Sequence, residues 1–236
     1  AAAMLVVTRN DKRLRAPLRA IAGAPDAPDS LLVNVHDRTG PYMVGPRTTR
    51  IAGSGRVRER AVGPAFLVSP DSFFQTNVRA ASRLVELVVE RAGSARSLRV
   101  LDLYCGSGLF ALPLALAGHR VTGIEEDRGA VRNGQENARI NRVPAERLRF
   151  LASRVENAVP RLGREPFDLV VLDPPRQGCP RTVLSIVFER MAPRRAVYVS
   201  CNPEALAEEL PVIVRAGYRV DWVQPVDMFP HTPHIE

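Results

Sequence analysis

Residues 98–111 read L-R-V-L-D-L-Y-C-G-S-G-L-F-A, and this stretch decides the fold. A short apolar run rich in branched side chains predicts a strand at 98–103, and the apolar residues near 109–117 have helical spacing. Between them, Gly106 and Gly108 allow the backbone to turn tightly and to approach a ligand closely. A strand, a glycine turn and a helix in this order are typical of nucleoside-binding α/β sheets.

The same alternation continues through the rest of the chain after residue 80. We predict strands at 120–125, 148–151, 167–172, 195–200 and 218–226, and helices at 80–92, 128–141, 155–162, 181–191 and 203–216. Short apolar strands separated by helices indicate a doubly wound, mostly parallel α/β sheet with helices on both faces. The first 79 residues have strand-like pieces broken by Pro and Gly. They predict part of a smaller N-terminal α/β domain at 1–79, ahead of a domain at 80–236 that is truncated at its C-terminus.

Composition excludes several classes of protein. With 236 residues, 45% of them apolar, the chain can bury a core, which argues against disorder. We find neither an apolar run of spanning length nor a signal peptide, so the sequence predicts a cytoplasmic protein with no membrane contact. Three scattered cysteines are too few for a disulfide framework, and their spacing predicts no metal site.

The charge balance makes a polyanion a candidate partner. Basic residues number 33 against 25 acidic ones, a net charge of +8. Lys12 is the only lysine, and the arginines are spread along the whole chain. A genome of biased base composition would produce the same excess of arginine. Charge alone therefore leaves both explanations open, an RNA partner and a biased genome.

An acidic residue completes the candidate cofactor site. Glu125 ends the second strand of the sheet domain, where a carboxylate can accept hydrogen bonds from ribose hydroxyls. The spacing Gly106-x-Gly108-x-x-Ala111 also fits a loose dinucleotide fingerprint. These residues alone leave a methyltransferase and a nicotinamide enzyme both open.

Two later strands end in residues that can carry chemistry. Asp173 follows the strand at 167–172, and the carboxyl end of a central strand faces the ligand crevice in such sheets. Cys201 follows the strand at 195–200 and precedes Asn202 and Pro203, a favoured cap and first residue of a helix. The field of a helix N-terminus lowers the pKa of a thiol, so we predict that Cys201 is a nucleophile.

Other residues receive plainer interpretations. Cys105 and Cys179 are predicted to be small buried hydrophobes. The segment Asp173-Pro174-Pro175 resembles the acidic-Pro-Pro motif of amino-group methyltransferases, in which an aromatic residue stacks on the target base. Here Arg176 stands in the aromatic position, so methylation of an amino group is a minor alternative.

Five motifs in order resemble the RNA 5-methyluridine methyltransferases, class I enzymes that use S-adenosylmethionine to methylate carbon 5 of uracil in rRNA or tRNA. They are F-x-Q-x-N at 73–77, D-L-x-C-G-x-G at 102–108, D-P-P-R-x-G at 173–178, S-C-N-P at 200–203 and F-P-H-T-x-H-x-E at 229–236. The resemblance covers about 66–236 and identifies the larger domain as a methyltransferase catalytic domain.

The resemblance implies roles for individual residues. Cys201 is then the nucleophile, and Glu236 is the base that removes the carbon 5 proton. The cofactor-binding residues it implies are Gln75, Tyr104, Gly106, Gly108, Leu109, Glu125 and Asp173. The uracil-binding residues it implies are Phe73, Gln75 and Asp173. Family frequency favours rRNA over tRNA as the substrate, and no protein partner is implied.

Two departures from the family pattern keep alternatives open. Arg154 stands where members often carry Asn or Asp to contact the adenine, and Leu109 stands where they commonly carry Asn. Weakened cofactor binding would leave a catalytically silent RNA-binding module as the first alternative. A nicotinamide-dependent oxidoreductase is the second, but it gives Cys201 and Glu236 no role.

Overall fold

The structure is a computed structural model that describes residues 1–37, 44–60, 63–93, 97–162, 165–232 and 235–236. The chain divides into two compact units. The smaller unit comprises Ala1–Glu59 and Phe66–Phe73, and the larger comprises Arg60–Ala65 and Phe74–Glu236. The boundary expected at residue 79 stays a prediction. No helix in the described ranges is long and apolar enough to cross a membrane.

The smaller unit is built around a parallel pair of strands joined by a helix. Strand β1 (Ala2–Val7) lies parallel to β2 (Ser30–Val35), and β3 (Arg47–Gly53) pairs antiparallel to β2. Helix α1 (Arg15–Ala22) connects β1 to β2 and buries Leu18 against the sheet residues Leu31 and Val33. A second antiparallel pair is formed by β4 (Val57–Glu59) and β5 (Phe66–Val68).

The larger unit contains a five-stranded sheet in which every pair of neighbours is parallel. Its strands are β6 (Arg99–Leu103), β7 (Arg120–Glu125), β8 (Leu148–Ala152), β9 (Leu169–Leu172) and β10 (Arg195–Tyr198), in the order β10-β9-β6-β7-β8. The chain fills one side of the sheet from β6 to β8 and then crosses to β9 and β10. In sheets of this kind ligands bind where the strand order reverses, which here is the point between β6 and β9.

Within the described residues of this unit, six helices pack around the sheet. They are α2 (Val78–Ala92), α3 (Ala111–Leu116), α4 (Arg128–Ile140), α5 (Val155–Leu162), α6 (Arg181–Ser185), which continues as a π-type turn over Ile186–Met191, and α7 (Pro203–Arg215). Helices α2, α3 and α4 pack in sequence, while α5, α6 and α7 bury Val159, Val183 and Val212 in one apolar cluster. The predicted doubly wound parallel fold is confirmed.

The predicted strand at 218–226 is wrong, because within the described residues this segment joins no sheet. A strand is defined by a ladder to a neighbour. Here the Tyr218 amide donates to the Ile213 carbonyl of α7, and Val226 and Glu236 exchange N–H···O bonds, which do not amount to a ladder. Trp222 instead lies under the guanidinium of Arg91, 4.3 Å from the ring centre. The alternating apolar residues that suggested a strand are exposed, among them Val220 and Val223.

Candidate functional site

Two aspartates stand at the point where the strand order reverses. Asp102 lies within β6 and is fully buried, and Asp173 follows β9, where its amide donates to the carbonyl of Leu103 at 3.3 Å. Burial raises the pKa of Asp102 well above its usual range, with the charge of Asp173 adding to the shift. Two carboxyl groups therefore stand at the reversal point, Asp102 fully buried and Asp173 partly exposed.

The glycine turn after β6 is tied to the end of β7 by Glu125. One oxygen of this carboxylate accepts from the Gly106 amide at 3.0 Å, and the other accepts from the Asp127 amide at 2.8 Å. Burial raises the pKa of Glu125. A side chain added at Gly106 would meet nothing within 4 Å, so the turn borders open space. An open turn beside an anchored carboxylate fits the ribose of a nucleoside cofactor, as the sequence suggests.

The ring of Phe150 packs against this turn. Hypothetical β-carbons at Gly108, Gly123 and Gly134 would stand 3.0, 3.1 and 2.8 Å from atoms of the Phe150 ring. Gly108 also has a φ of +91°, which disfavours other residues. The ring thus lies in a socket of three glycines from the turn, β7 and α4. The sequence did not lead us to Phe150. The available signal was a glycine inside a predicted strand and another inside a predicted helix, because such glycines mark places where another group packs closely.

Cys201 lies just beyond β10, at the start of α7. As predicted, Asn202 caps this helix, with its side chain accepting from the amides of Glu204 and Ala205, and Pro203 is the first helical residue. The Cys201 thiol is half-buried and free. The carboxyl ends of β9 and β10 therefore carry Asp173 and Cys201 side by side, since the two strands are neighbours in the sheet.

The predicted lowering of the Cys201 pKa is wrong. Burial raises the pKa of this thiol, the charges of Glu236 and Asp173 raise it further, and Arg176 opposes them only in part. The expected lowering considered only the helix N-terminus, whereas burial of the thiol and, after it, the charges of Glu236 and Asp173 favour the neutral form.

Glu236 lies near Cys201 and Asp173, although it is far from both in the sequence. Its backbone pairs with Val226, and its Oε2 atom is buried without a hydrogen-bond partner among the described residues. Burial raises the pKa of Glu236, and burial together with the Glu236 charge raises the pKa of Asp173 to about 8. The structure thus brings together three of the residues that the sequence singled out, Cys201, Asp173 and Glu236.

Asn77 ties the terminal segment to α2. Its side-chain oxygen accepts from the Ala80 amide as the helix cap, and its Nδ2 donates to the Met228 carbonyl at 3.0 Å. Met228 is fully buried. The segment that carries Glu236 is therefore fixed at Met228 as well as at Val226. Sequence reasoning placed Asn77 in a motif without giving it this function.

Replacing Asn77 with Asp separates its two contacts. Asp is as good a helix cap but cannot donate to Met228, so one hydrogen bond of about 1 kcal/mol is lost from the terminal segment. We expect amide exchange at Val226 and Glu236 to accelerate roughly fivefold, with α2 unchanged, by hydrogen-exchange mass spectrometry. Asn202→Asp is the matched control and leaves exchange in 226–236 unaltered. Unchanged exchange in Asn77→Asp would show that Nδ2 does not hold the segment.

The remaining predicted site residues are placed as follows. Gln75 is 6% exposed, just before α2, and Tyr104 leads into the cofactor turn with a φ of +63°. The Leu109 side chain is buried. Phe73 is the last residue of the smaller unit, and 78% of its surface is exposed. Pro233 and His234 of the last motif lie outside the described residues.

The other two cysteines agree with their plainer interpretation, and Arg154 lies on the surface. Cys105 and Cys179 are buried free thiols, as predicted. Arg154 follows β8 and lies between two carboxylates, with its Nε atom 3.6 Å from Glu126 and 3.5 Å from Glu156. Both ion pairs are on the surface, where such contacts contribute little.

Comparisons with known proteins agree with this geometry. The sequence model of the family described as tRNA (Uracil-5-)-methyltransferase matches residues 49–236. An uncharacterized RNA methyltransferase of Gloeobacter violaceus is 42% identical over 204 residues, which are 86% of this chain and 43% of that protein. Another from Geobacter sulfurreducens is 36% identical over the whole chain and 47% of its own length.

A solved structure agrees as well. The tRNA (uracil-54, C5)-methyltransferase of Pyrococcus abyssi, in complex with S-adenosyl-L-homocysteine, superposes with a TM-score of 0.80 and 30% identity, over 99% of this chain and 54% of that one. The chain thus spans about half the length of these relatives. From the matched motifs, the parallel sheet and the site at its reversal point, we conclude that the chain belongs to the tRNA (Uracil-5-)-methyltransferase family.

Proposed function

We propose that this chain is the catalytic part of an enzyme that transfers a methyl group from S-adenosylmethionine to carbon 5 of a uridine in RNA. The observation that carries the proposal is the convergence of Cys201, Asp173 and Glu236 at the reversal point of the sheet. A nucleophile and a base beside a nucleoside-binding turn are what this reaction needs. The basic excess of eight charges suits an RNA substrate.

The reaction explains why a thiol is required. Carbon 5 of uracil is a poor nucleophile, but addition of the Cys201 thiolate to carbon 6 pushes electron density onto carbon 5. S-adenosylmethionine, when bound, supplies an electrophilic methyl group to that carbon. Because the free thiol has a raised pKa, its proton must leave when the uracil binds. Asp173 in its ionised form is the neighbouring group able to take that proton, which leaves Glu236 free for the later step.

Glu236 has the properties of the second proton acceptor. After methyl transfer, carbon 5 still carries its hydrogen, and the bond from sulfur to carbon 6 breaks only when a base removes that proton. The buried Oε2 of Glu236 has a raised pKa, which makes the carboxylate a stronger base. Elimination then restores the ring double bond, releases the Cys201 thiolate and leaves the proton on Glu236.

The cofactor is held by the turn and its neighbours in this proposal. Glu125 accepts from the ribose hydroxyls, and Tyr104, Gly106, Gly108 and Leu109 line the turn through their backbone or side chains. Gln75 and Asp173 stand at the boundary between cofactor and uracil. The family resemblance gives Phe73 to the uracil, which must be flipped out of the RNA to reach the thiol.

Mass spectrometry of RNA fragments after incubation with labelled S-adenosylmethionine tests the proposal. We expect one labelled 5-methyluridine, in rRNA in preference to tRNA, and both RNAs are offered in the same experiment. Label in tRNA alone would refute the preference and leave the reaction intact. A catalytically silent RNA-binding module would give no label, and calorimetry with S-adenosylmethionine would then show no saturable heat.

Glu125→Ala tests the cofactor site. Loss of charge-assisted hydrogen bonds to the ribose is expected to weaken S-adenosylmethionine binding by about 1–3 kcal/mol in calorimetry. Arg154→Ala is the comparison, and its effect is smaller because a guanidinium donates hydrogen bonds whereas the adenine amino group needs an acceptor. Glu126→Ala removes the exposed neighbouring carboxylate as a charge control. Equal affinity in Glu125→Ala and the wild type would place the ribose elsewhere.

A further inference from the structure

A buried carboxylate lies in α7, two turns beyond Cys201. Glu209 is 8% exposed, and its oxygens accept two hydrogen bonds. Oε1 accepts from the Cys179 amide at 2.6 Å, and Oε2 accepts from the hydroxyl of Tyr198 in β10. Burying a carboxylate is costly unless such bonds satisfy it. Glu209 has no part in the proposed chemistry, so its place in the core calls for another function.

The Cys179 bond fastens the loop that follows Asp173. This loop, residues 174–179, turns through a bond from the Gly178 amide to the Pro175 carbonyl at 2.8 Å. Gly178 has a φ of +80°, and a β-carbon there would stand 1.9 Å from Oε1 of Glu209. Only glycine lets the carboxylate reach the Cys179 amide. The glycine of the D-P-P-R-x-G motif is thus explained by its contact with Glu209.

A second bond fastens the same loop to the start of the same helix. Nδ2 of Asn202 donates to the Arg176 carbonyl at 3.0 Å while its Oδ1 caps α7. Loop 174–179 is therefore held at two points on α7, one beside Cys201 and one two turns later. Asp173 lies directly before this loop, and Cys201 lies at the start of this helix. The two bonds therefore join the segments that follow the two proposed reacting groups.

The network also reaches the cofactor turn. The Tyr104 hydroxyl lies 3.7 Å from the Cys179 sulfur, within hydrogen-bonding distance for a thiol. Burial raises the pKa of Cys179 to about 12, so this thiol is an un-ionised packing group. Glu209, through Cys179, thus connects three parts of the site: the cofactor turn, loop 174–179 and helix α7.

We propose that Glu209 is a positioning residue for methyl transfer, which fixes loop 174–179 on α7 and so sets the Asp173 carboxylate against the Cys201 thiol. The role in catalysis rests on the proposed function, whereas the fastening of the loop does not. A misplacement of about 1 Å in a reacting group can slow a reaction roughly a hundredfold. A positioning residue therefore acts on the rate of the bound complex.

The test compares Glu209→Leu with Glu209→Gln in this chain. Leu removes both acceptors, whereas Gln keeps an oxygen for the Cys179 amide and offers an N–H to the Tyr198 oxygen. Mass spectrometry measures the rates at which a maleimide labels two buried cysteines. Labelling of Cys179 reports opening of the loop, and labelling of Cys105, which is equally buried, reports global unfolding. In Glu209→Leu we expect labelling of Cys179 to accelerate about tenfold and that of Cys105 to stay unchanged, because only the loop opens.

The kinetic test compares the change in kcat with the change in KM. Glu209→Leu is expected to lower kcat about tenfold or more with little change in KM for S-adenosylmethionine, and Glu209→Gln is expected to restore most of the rate. Should Glu209→Leu not fold, Gly178→Ala breaks the same contact from the loop side and is expected to give the same labelling pattern.

Three results would overturn the proposal: equal acceleration at Cys105 and Cys179, an unchanged kcat per folded molecule, or a Gln variant as slow as the Leu variant. A wild-type chain that methylates no uridine would instead refute the proposed function and, with it, the catalytic role of Glu209. The labelling would still decide whether Glu209 fastens the loop, so the two failures are distinguishable.

Discussion

Glu236→Gln is expected to trap a covalent complex between protein and RNA that already carries the new methyl group. Without the carboxylate, the carbon 5 proton stays in place, and the bond between Cys201 and carbon 6 cannot break. Gln fills the same buried space beside Asp173 without its negative charge. Turnover is expected to fall by about a thousandfold or more, in the upper range for loss of a general base. The adduct survives denaturing electrophoresis, and mass spectrometry finds the methyl group on it.

The control is the double variant Glu236→Gln with Cys201→Ala, which forms no adduct because the carbon–sulfur bond is never made. A Glu236→Gln protein that turns over normally would point to another base. One that is inactive without an adduct would assign Glu236 a structural role, in keeping with its backbone pairing to Val226.

Cys201→Ala is expected to abolish methyl transfer while leaving S-adenosylmethionine affinity within about threefold, because the thiol meets the uracil and not the cofactor. Loss of the covalent route removes the only activation of carbon 5. Single-turnover transfer of labelled methyl and calorimetry with the cofactor measure the two effects separately. Cys105→Ala, which removes a buried thiol with no part in the proposed chemistry, is the matched control. A parallel loss of activity and affinity in Cys201→Ala would make this cysteine structural.

The pH dependence of the thiol provides an independent check. Burial is the first cause of the raised Cys201 pKa, and the charge of Glu236 is the second. Removing that charge in Glu236→Gln therefore lowers the pKa, and the pH profile of Cys201 alkylation is expected to move to lower pH. An identical profile in the two proteins would mean that Glu236 does not face the thiol.

The sheet and the local geometry of its turns could be predicted from the sequence. The apolar runs and glycine turns predict β6 to β10 in order, and Asn202 and Pro203 predict the start of α7, because these signals act between neighbours in the chain. The prediction of a strand at 218–226 is wrong for the opposite reason, because a strand depends on a partner that is distant in the chain. The alternating residues of this segment can form a strand only beside another strand, and the sequence does not show which partner is available.

The parts of the site that were missed depend on residues far apart in the chain. Burial raises the pKa of Cys201, and the charges of Glu236 and Asp173 raise it further, so the shift depends on surroundings that only the folded chain reveals. Glu209 looks like one more acidic residue on a helix until Cys179 and Tyr198 are seen to bond to it. Local reasoning and the family resemblance thus point to the candidate reacting groups, whereas the contacts of Glu209 are visible only in the three-dimensional structure.

The glycine socket around Phe150 limits how this protein can be engineered for heat resistance. Gly134 lies inside α4, where replacing glycine with alanine ordinarily stabilises a helix by about 1 kcal/mol. Here the new methyl group would stand 2.8 Å from the ring, so the usual gain turns into a clash. A smaller side chain at position 150 would remove that clash but leave the cofactor turn without its support. The same ring thus limits stabilising substitutions at Gly134 and packs against the turn after β6, so a change made for one purpose also alters the other.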